Sequence, residues 1–138
     1  YKISAMKRLM FLVLLTTLFS SCRKDEQVSD IVGQWEWYLA TGGIANIYQT
    51  PQNSGFSWQL RLNANYTSEQ TGDLMIVGNG NGTYTLTEDK EGGIPRKLVN
   101  ITTNGATQTY IYTFITRDTL RLDQDLTADG LSYFLVRE

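Results

Sequence analysis

At 138 residues, with 41% apolar side chains and two prolines, the chain is long enough to bury one compact core and short for two ordinary domains. It carries 12 lysines and arginines against 14 aspartates and glutamates, one cysteine and no histidine. That inventory excludes Ser-His-Asp and Cys-His catalysis and ordinary zinc sites, and it offers no concentrated basic face for nucleic acid.

The first element is a leader. Lys7 and Arg8 precede an apolar run from Leu9 to Phe19 that ends in Ser20-Ser21-Cys22. A membrane-spanning helix needs about twenty apolar residues, so this shorter run reads as a signal peptide over residues 1–21 rather than a permanent span. Met6 is the expected natural start, with residues 1–5 read as extra sequence upstream of it. Removal of the leader takes Lys2, Lys7 and Arg8 and no acid, so the net charge moves from −2 to about −5.

Phe19-Ser20-Ser21-Cys22, with Leu18 before it, resembles a bacterial lipobox. Phe19 departs from the pattern, in which a smaller aliphatic residue is usual. The resemblance implies that Cys22 is diacylated and becomes the new N-terminus, which leaves no thiol for a disulfide; a plain secretory signal with a free Cys22 is the alternative. Residues 22–30 follow as a lipidated cysteine and flexible tether, because the run Arg23-Lys24-Asp25-Glu26-Gln27 can bury nothing. Lys24, Asp25 and Glu26 behind Cys22 also resemble the signal that exports Bacteroidota lipoproteins to the outer face of the outer membrane. The expected location is therefore the outer membrane, surface-exposed, with a periplasm-facing anchor as the alternative.

From residue 31 to residue 138 the hydrophobic pattern has period two, the signature of half-buried strands, and shows no convincing helix. Trp35, Trp37 and Leu39 alternate with polar neighbours until Thr41-Gly42-Gly43 breaks the run. Phe56, Trp58, Leu60 and Leu62 form the clearest alternation. Further strands are expected at about 66–70, 74–77, 82–88, 97–103, 108–116, 119–123 and 131–137, with Gly, Asn and Asp clusters between them. Those links suit hairpins and are too short for crossover helices. The expected fold is all-β, an eight- to nine-stranded antiparallel up-and-down meander closed into a barrel, with an open β-sandwich as the rival.

Gly33-Gln34-Trp35 on the first strand resembles the Gly-x-Trp signature of lipocalins, and Tyr133-Phe134-Leu135-Val136-Arg137 resembles their arginine-bearing last strand. Gly82-Thr-Tyr-Thr-Leu86 and Asp118-Thr-Leu-Arg-Leu122 are similar to strands of the lipocalin-like domains found in Bacteroidota lipoproteins. The resemblance covers residues 31–138, although the chain is short for a lipocalin and lacks a clear C-terminal helix. It implies a calycin-type barrel closed at one end by Gly33, Trp35 and Arg137, the guanidinium lying on the indole.

No constellation for catalysis or metal binding emerges. The acids group in expected turns, Glu88, Asp89 and Glu91 in one and Asp123, Asp125 and Asp129 in another, where solvated carboxylates are the ordinary outcome. The second group lacks the spacing of an EF-hand loop. Gly78-Asn-Gly-Asn-Gly82 opens no helix and so reads as a hairpin tip rather than a phosphate loop. Asp118-Thr119-Leu120 resembles the O-glycosylation acceptor of Bacteroidota, with Thr119 as acceptor.

The aromatic load is the most informative functional feature, since an eight-stranded barrel is wide enough either to pack solid or to hold one small ligand. The expectation is a non-catalytic, monomeric, lipid-anchored module without cofactor, metal or nucleic-acid partner. It attaches to the membrane through its anchor and binds a small apolar or amphipathic ligand between Trp37, Trp58, Leu60, Tyr84, Tyr112 and Phe114. The alternative is a surface interaction protein with a solid barrel, meeting a protein or glycan through loops at 41–55 and 88–96.

Overall fold

The computed structural model describes residues 30–73, 79–125 and 129–138. Two compact units divide the chain, Tyr1–Ile31 and Val32–Glu138. Of the first, only Asp30 and Ile31 are described, and both are helical. The leader, Cys22, the Lys24-Asp25-Glu26 run and the strand expected at 74–77 lie outside the described residues.

The second unit is built of strands in chain order: β1 (Gly33–Gly42), β2 (Ile47–Gln49), β3 (Trp58–Leu62), β4 (Thr67–Gly72), β5 (Gly80–Glu91), β6 (Ile94–Thr103), β7 (Ala106–Thr116), β8 (Thr119–Gln124) and β9 (Leu131–Arg137). One short helix, α1 (Pro51–Ser54), sits between β2 and β3. Each strand from β3 onward pairs antiparallel with the next, and β1 pairs with both β3 and β9. Eight strands therefore close into an up-and-down barrel, with β2 added on the far half of β1. Closure leaves the eight barrel strands without an open edge, the hazard an open meander of this composition would carry. The result is an all-β antiparallel barrel consistent with a calycin-like fold.

Alternation explains the core. Trp35 and Trp37 on β1, Leu60 and Leu62 on β3, Leu120 and Leu122 on β8, and Tyr133 and Leu135 on β9 are all buried, while Glu36 and Arg61 between them, and Val136 next to Leu135, are exposed. Registers align these inward positions: Trp35 opposes Leu60, Trp37 opposes Leu135, and Leu122 opposes Tyr133.

The structure departs from the sequence pattern in four places. In β1 the register to β9 shifts between Trp37 and Leu39, so the phase moves by one residue and Ala40 is buried instead of Leu39. A bulge of this kind sharpens the local twist and re-aims the remaining side chains. Phe56, expected on the buried face of a strand, precedes β3 and is exposed.

Within the region read as loop, 41–55, lie β2 and α1. The helix is too short for any periodicity to announce it, but its ends are well specified. The Thr50 side chain accepts from the Asn53 backbone N–H, Asn53 accepts from the Thr50 N–H in return, Pro51 occupies the first turn and Gly55 closes it at φ 72°.

The fourth departure is the segment 88–96, also expected as loop. It is strand except for Gly92 and Gly93, whose φ values of 57° and 85° suit a two-residue hairpin turn. Asp89 and Arg96 face each other across this hairpin, and both carboxylate oxygens accept from the guanidinium at 2.8 and 2.6 Å. Arg96 also bonds Glu91 at 2.7 Å and reaches Asp125, just past β8, at 3.1 Å. One cation thus holds three acids, which ties the hairpin to the segment after β8.

Hydrogen bonds from Arg96 hold the Asp89 carboxyl below the usual carboxylate range. A depressed acid contributes stability that is complete above its unfolded value, about pH 4, and is lost as the pH falls through the folded value. Urea unfolding of the parent and of Asp89→Asn should therefore differ at pH 7 and at pH 5, and converge near pH 2. An unchanged gap at pH 2 would dissociate this network from stability.

Candidate functional site

Buried aromatic and polar side chains meet in the barrel interior, and its two ends differ. One end is formed by the start of β1, the end of β9 and the β7–β8 turn. There Trp35 is fully buried and the Arg137 guanidinium carbon lies 4.2 Å from its ring centroid. Arg137 Nη1 donates to the Val32 carbonyl at 2.7 Å, and Nε lies 3.8 Å from Asp118. The cation is thereby fixed over the electron-rich face of the indole, an arrangement worth about 0.5–2 kcal/mol.

Gly33 makes room for it, since a Cβ at this position would stand 2.6 Å from Nη1. The sequence Gly-x-Trp thus has a local physical reason: the glycine clears the space that the arginine uses. Phe114 lies 6.1 Å from Trp35 and Tyr112 lies 6.2 Å from Phe114, centroid to centroid, completing an aromatic layer at this end.

The opposite end has another character. It is built where β1, β4, β6 and β8 finish and β3, β5, β7 and β9 begin. Tyr133 contacts Trp58 at 5.6 Å and Tyr110 at 6.3 Å, both edge-on. Around these rings sit amides. Trp58 Nε1 donates to Gln70 Oε1 at 3.2 Å, and Gln70 Nε2 donates to Thr103 Oγ1 at 2.9 Å. Tyr110 donates to Gln108 Oε1 at 2.8 Å, while Gln124 donates to the Tyr133 hydroxyl at 3.2 Å and accepts from the Leu131 N–H at 3.1 Å. Gln70 is fully buried, and burial pushes the Tyr110 and Tyr133 phenols well above their ordinary range, so both are neutral donors at physiological pH.

Two interior atoms stand outside these networks. The Trp37 indole N–H and the Ser68 hydroxyl are fully buried and have no hydrogen-bond partner. Both belong to side chains with almost no exposure, 1% each. An unpartnered buried donor or acceptor costs about 1–3 kcal/mol, and most proteins avoid it.

The residues singled out from sequence are spread through this interior. Trp37, Trp58, Leu60, Tyr84 and Tyr112 are buried, and Phe114 is half-buried. They do not form one cluster: Tyr112 and Phe114 join Trp35 at the arginine end, Trp58 belongs to the amide end, and Tyr84 donates to the Asn63 carbonyl at 2.8 Å beside the β3–β4 turn. The amide end itself, with Gln70, Gln108 and Gln124, was not legible as a site. Its signal was phase, since each glutamine stands two residues from a buried position on its strand, namely Ser68, Tyr110 and Leu122.

The acids at the end of β8 and beyond it do not converge. Asp123 accepts from Arg121 and Ser132, Asp125 pairs with Arg96, and Asp129 accepts from the Ile44 N–H at 3.0 Å. Among the described residues no group of three or more His, Cys, Asp and Glu is placed to hold a metal ion. Thr119 opens β8 and is half-buried, paired with Val136. Comparison of the chain with protein-family models, curated proteins and solved structures returns no match.

Proposed function

We propose that the barrel is a non-catalytic binding module for a small amphipathic ligand, carried on a lipid anchor at Cys22. The observation that carries the reading is the pair of buried polar atoms without partners among the described residues, Trp37 Nε1 and Ser68 Oγ, inside an interior walled by aromatic and aliphatic side chains. A ligand with an apolar body would contact the aromatic walls, and its polar group would satisfy one or both of these atoms; pockets for such ligands combine those two ingredients.

The address rests on the sequence: the leader, the lipobox-like Ser20-Ser21-Cys22 and the Lys24-Asp25-Glu26 run support an outer-membrane lipoprotein displayed at the surface, and Gly33, Trp35 and Arg137 support a place among lipocalin-like domains. A second reading, a surface interaction protein acting through its loops, draws on Ile44 and Tyr48, which are 83% and 66% exposed beside β2.

Native mass spectrometry of the full chain, after exposure to a lipid and metabolite extract, tests the first reading. The expected result is a retained small-molecule adduct that weakens several-fold with Trp37→Phe, which keeps a smaller aromatic ring and deletes the donor. A bare mass for a folded chain under gentle conditions would turn attention to the loops.

A further inference from the structure

Three amides at one end of an otherwise aliphatic and aromatic interior are not demanded by packing. Elsewhere the inward positions of the barrel strands carry Leu60, Ile101, Val99, Leu120, Leu122 and Leu135, all buried. At the far end of β4, the beginning of β7 and the end of β8, the same inward phase is occupied by Gln70, Gln108 and Gln124. A buried amide forfeits water and gains stability only if every bond is remade, so apolar residues would serve a merely structural barrel at least as well. Departures from the local packing rule concentrate where a protein does something besides fold.

The chemistry of this end is narrow. Among the described residues its inward positions hold amides, phenols, an indole, Thr103, Ala40, Leu131 and glycines, and no carboxylate, ammonium or guanidinium. Amide and phenol groups offer donors and acceptors at once and carry no charge. A charged ligand would lose its hydration there with no counter-charge to offset the loss. A plain hydrocarbon would cover the amides without bonding them.

A hydroxyl group, donor and acceptor together, matches them. The rings present the complementary surface. Trp58, Tyr110 and Tyr133 meet inside the barrel, and Tyr48 and Phe56 stand exposed on the segments that flank the same end, 66% and 40% accessible. Aromatic faces carry negative potential and pack against polarised C–H groups, which line the apolar faces of a sugar ring.

We propose that the amide end is a subsite for an uncharged polyhydroxylated ligand, a neutral saccharide or the neutral sugar headgroup of a larger amphiphile, with Gln108 and Gln124 bonding its hydroxyls and the Trp58–Tyr133–Tyr110 cluster holding its apolar face. It rests on the binding reading above and specifies the ligand class for it.

The test is tryptophan fluorescence titration of the full chain against three probes: a set of uncharged di- to tetrasaccharides, the matching uronic-acid oligosaccharides, and palmitate. The uncharged saccharides should quench or shift the emission saturably, and the uronic acids should bind at least tenfold more weakly. Gln124→Leu should reduce saccharide affinity about tenfold; Gln108→Leu, at a half-buried strand end that tolerates the change, should do the same if the first variant fails to fold. Binding of palmitate without saccharide overturns this inference and leaves the carrier reading standing. Equal affinity for neutral and acidic saccharides, or saccharide affinity untouched by a folded glutamine variant, overturns the assignment of the subsite. Binding of none of the probes overturns it too, while the adduct experiment on the whole extract still decides the carrier reading independently.

Discussion

Trp35→Ala should lower the stability of the barrel by about 3–5 kcal/mol, one of the two largest effects expected of any single replacement here. The residue is fully buried at the point where β1 joins β9, opposite Leu60 on β3 and Arg137 on β9, and its ring contacts Phe114. Alanine would open a cavity that the closed sheet cannot collapse into, because eight hydrogen-bonded strands fix the circumference. It would also strip the guanidinium of its platform, while its bond to the Val32 carbonyl and the long contact to Asp118 do not depend on the ring.

A double-mutant cycle with Arg137→Met separates the two terms. Denaturant titrations should give a coupling of about 0.5–2 kcal/mol between positions 35 and 137. A coupling near zero would mean that the indole acts through volume alone.

Gly82→Ala should be nearly as damaging, about 3 kcal/mol, for a different reason. Gly82 pairs with Ser68 on β4 and with Thr103 on β6, and an added Cβ would lie 2.0 Å from the Thr102 carbonyl oxygen. That oxygen belongs to backbone, so no rotamer change relieves the clash. β5 and β6 must part locally and give up ladder bonds worth about 1 kcal/mol each. Gly92→Ala serves as a control: nothing lies within 4 Å of its Cβ, although its φ of 57° adds modest strain. Thermal unfolding should rank the variants with Gly82→Ala clearly below Gly92→Ala and both below the parent. Reversal of that order would show that the strands at Gly82 approach less closely than described.

The barrel was legible in the sequence because its strands are half-buried. Wherever one face meets the core and the other meets water, as at Trp58-Gln-Leu-Arg-Leu62, alternation declares both strand and inward phase. The pattern fails where backbone geometry breaks the count. The bulge after Trp37 shifts the inward set from Leu39 to Ala40, and no side-chain pattern marks it in advance.

It fails again where an element is too short to have a period, as with α1, which is written only in its caps. The hairpin from Glu88 to Arg96 was hidden by charge: its outward acids and arginine look like loop residues until they are seen paired across two strands. The amide end was hidden by composition. Glutamine is ordinarily a surface residue, so its inward phase at 70, 108 and 124 carried less weight than the aromatic residues nearby.

The seam between β1 and β9 also sets how the barrel responds to mechanical load. The Glu138 N–H donates to the Gln34 carbonyl at 3.0 Å, so the first and last residues of the barrel leave from the same end of the same antiparallel pair. Tension applied between them pulls the two strands apart one rung at a time, beginning at Arg137 and Trp35, instead of loading the rungs together as sliding would. In an antiparallel ladder, whose bonds lie perpendicular to the strands, that is the direction of least resistance. A pull between Gly33 and Glu138 would therefore peel the seam open at low force, starting from the arginine-capped tryptophan.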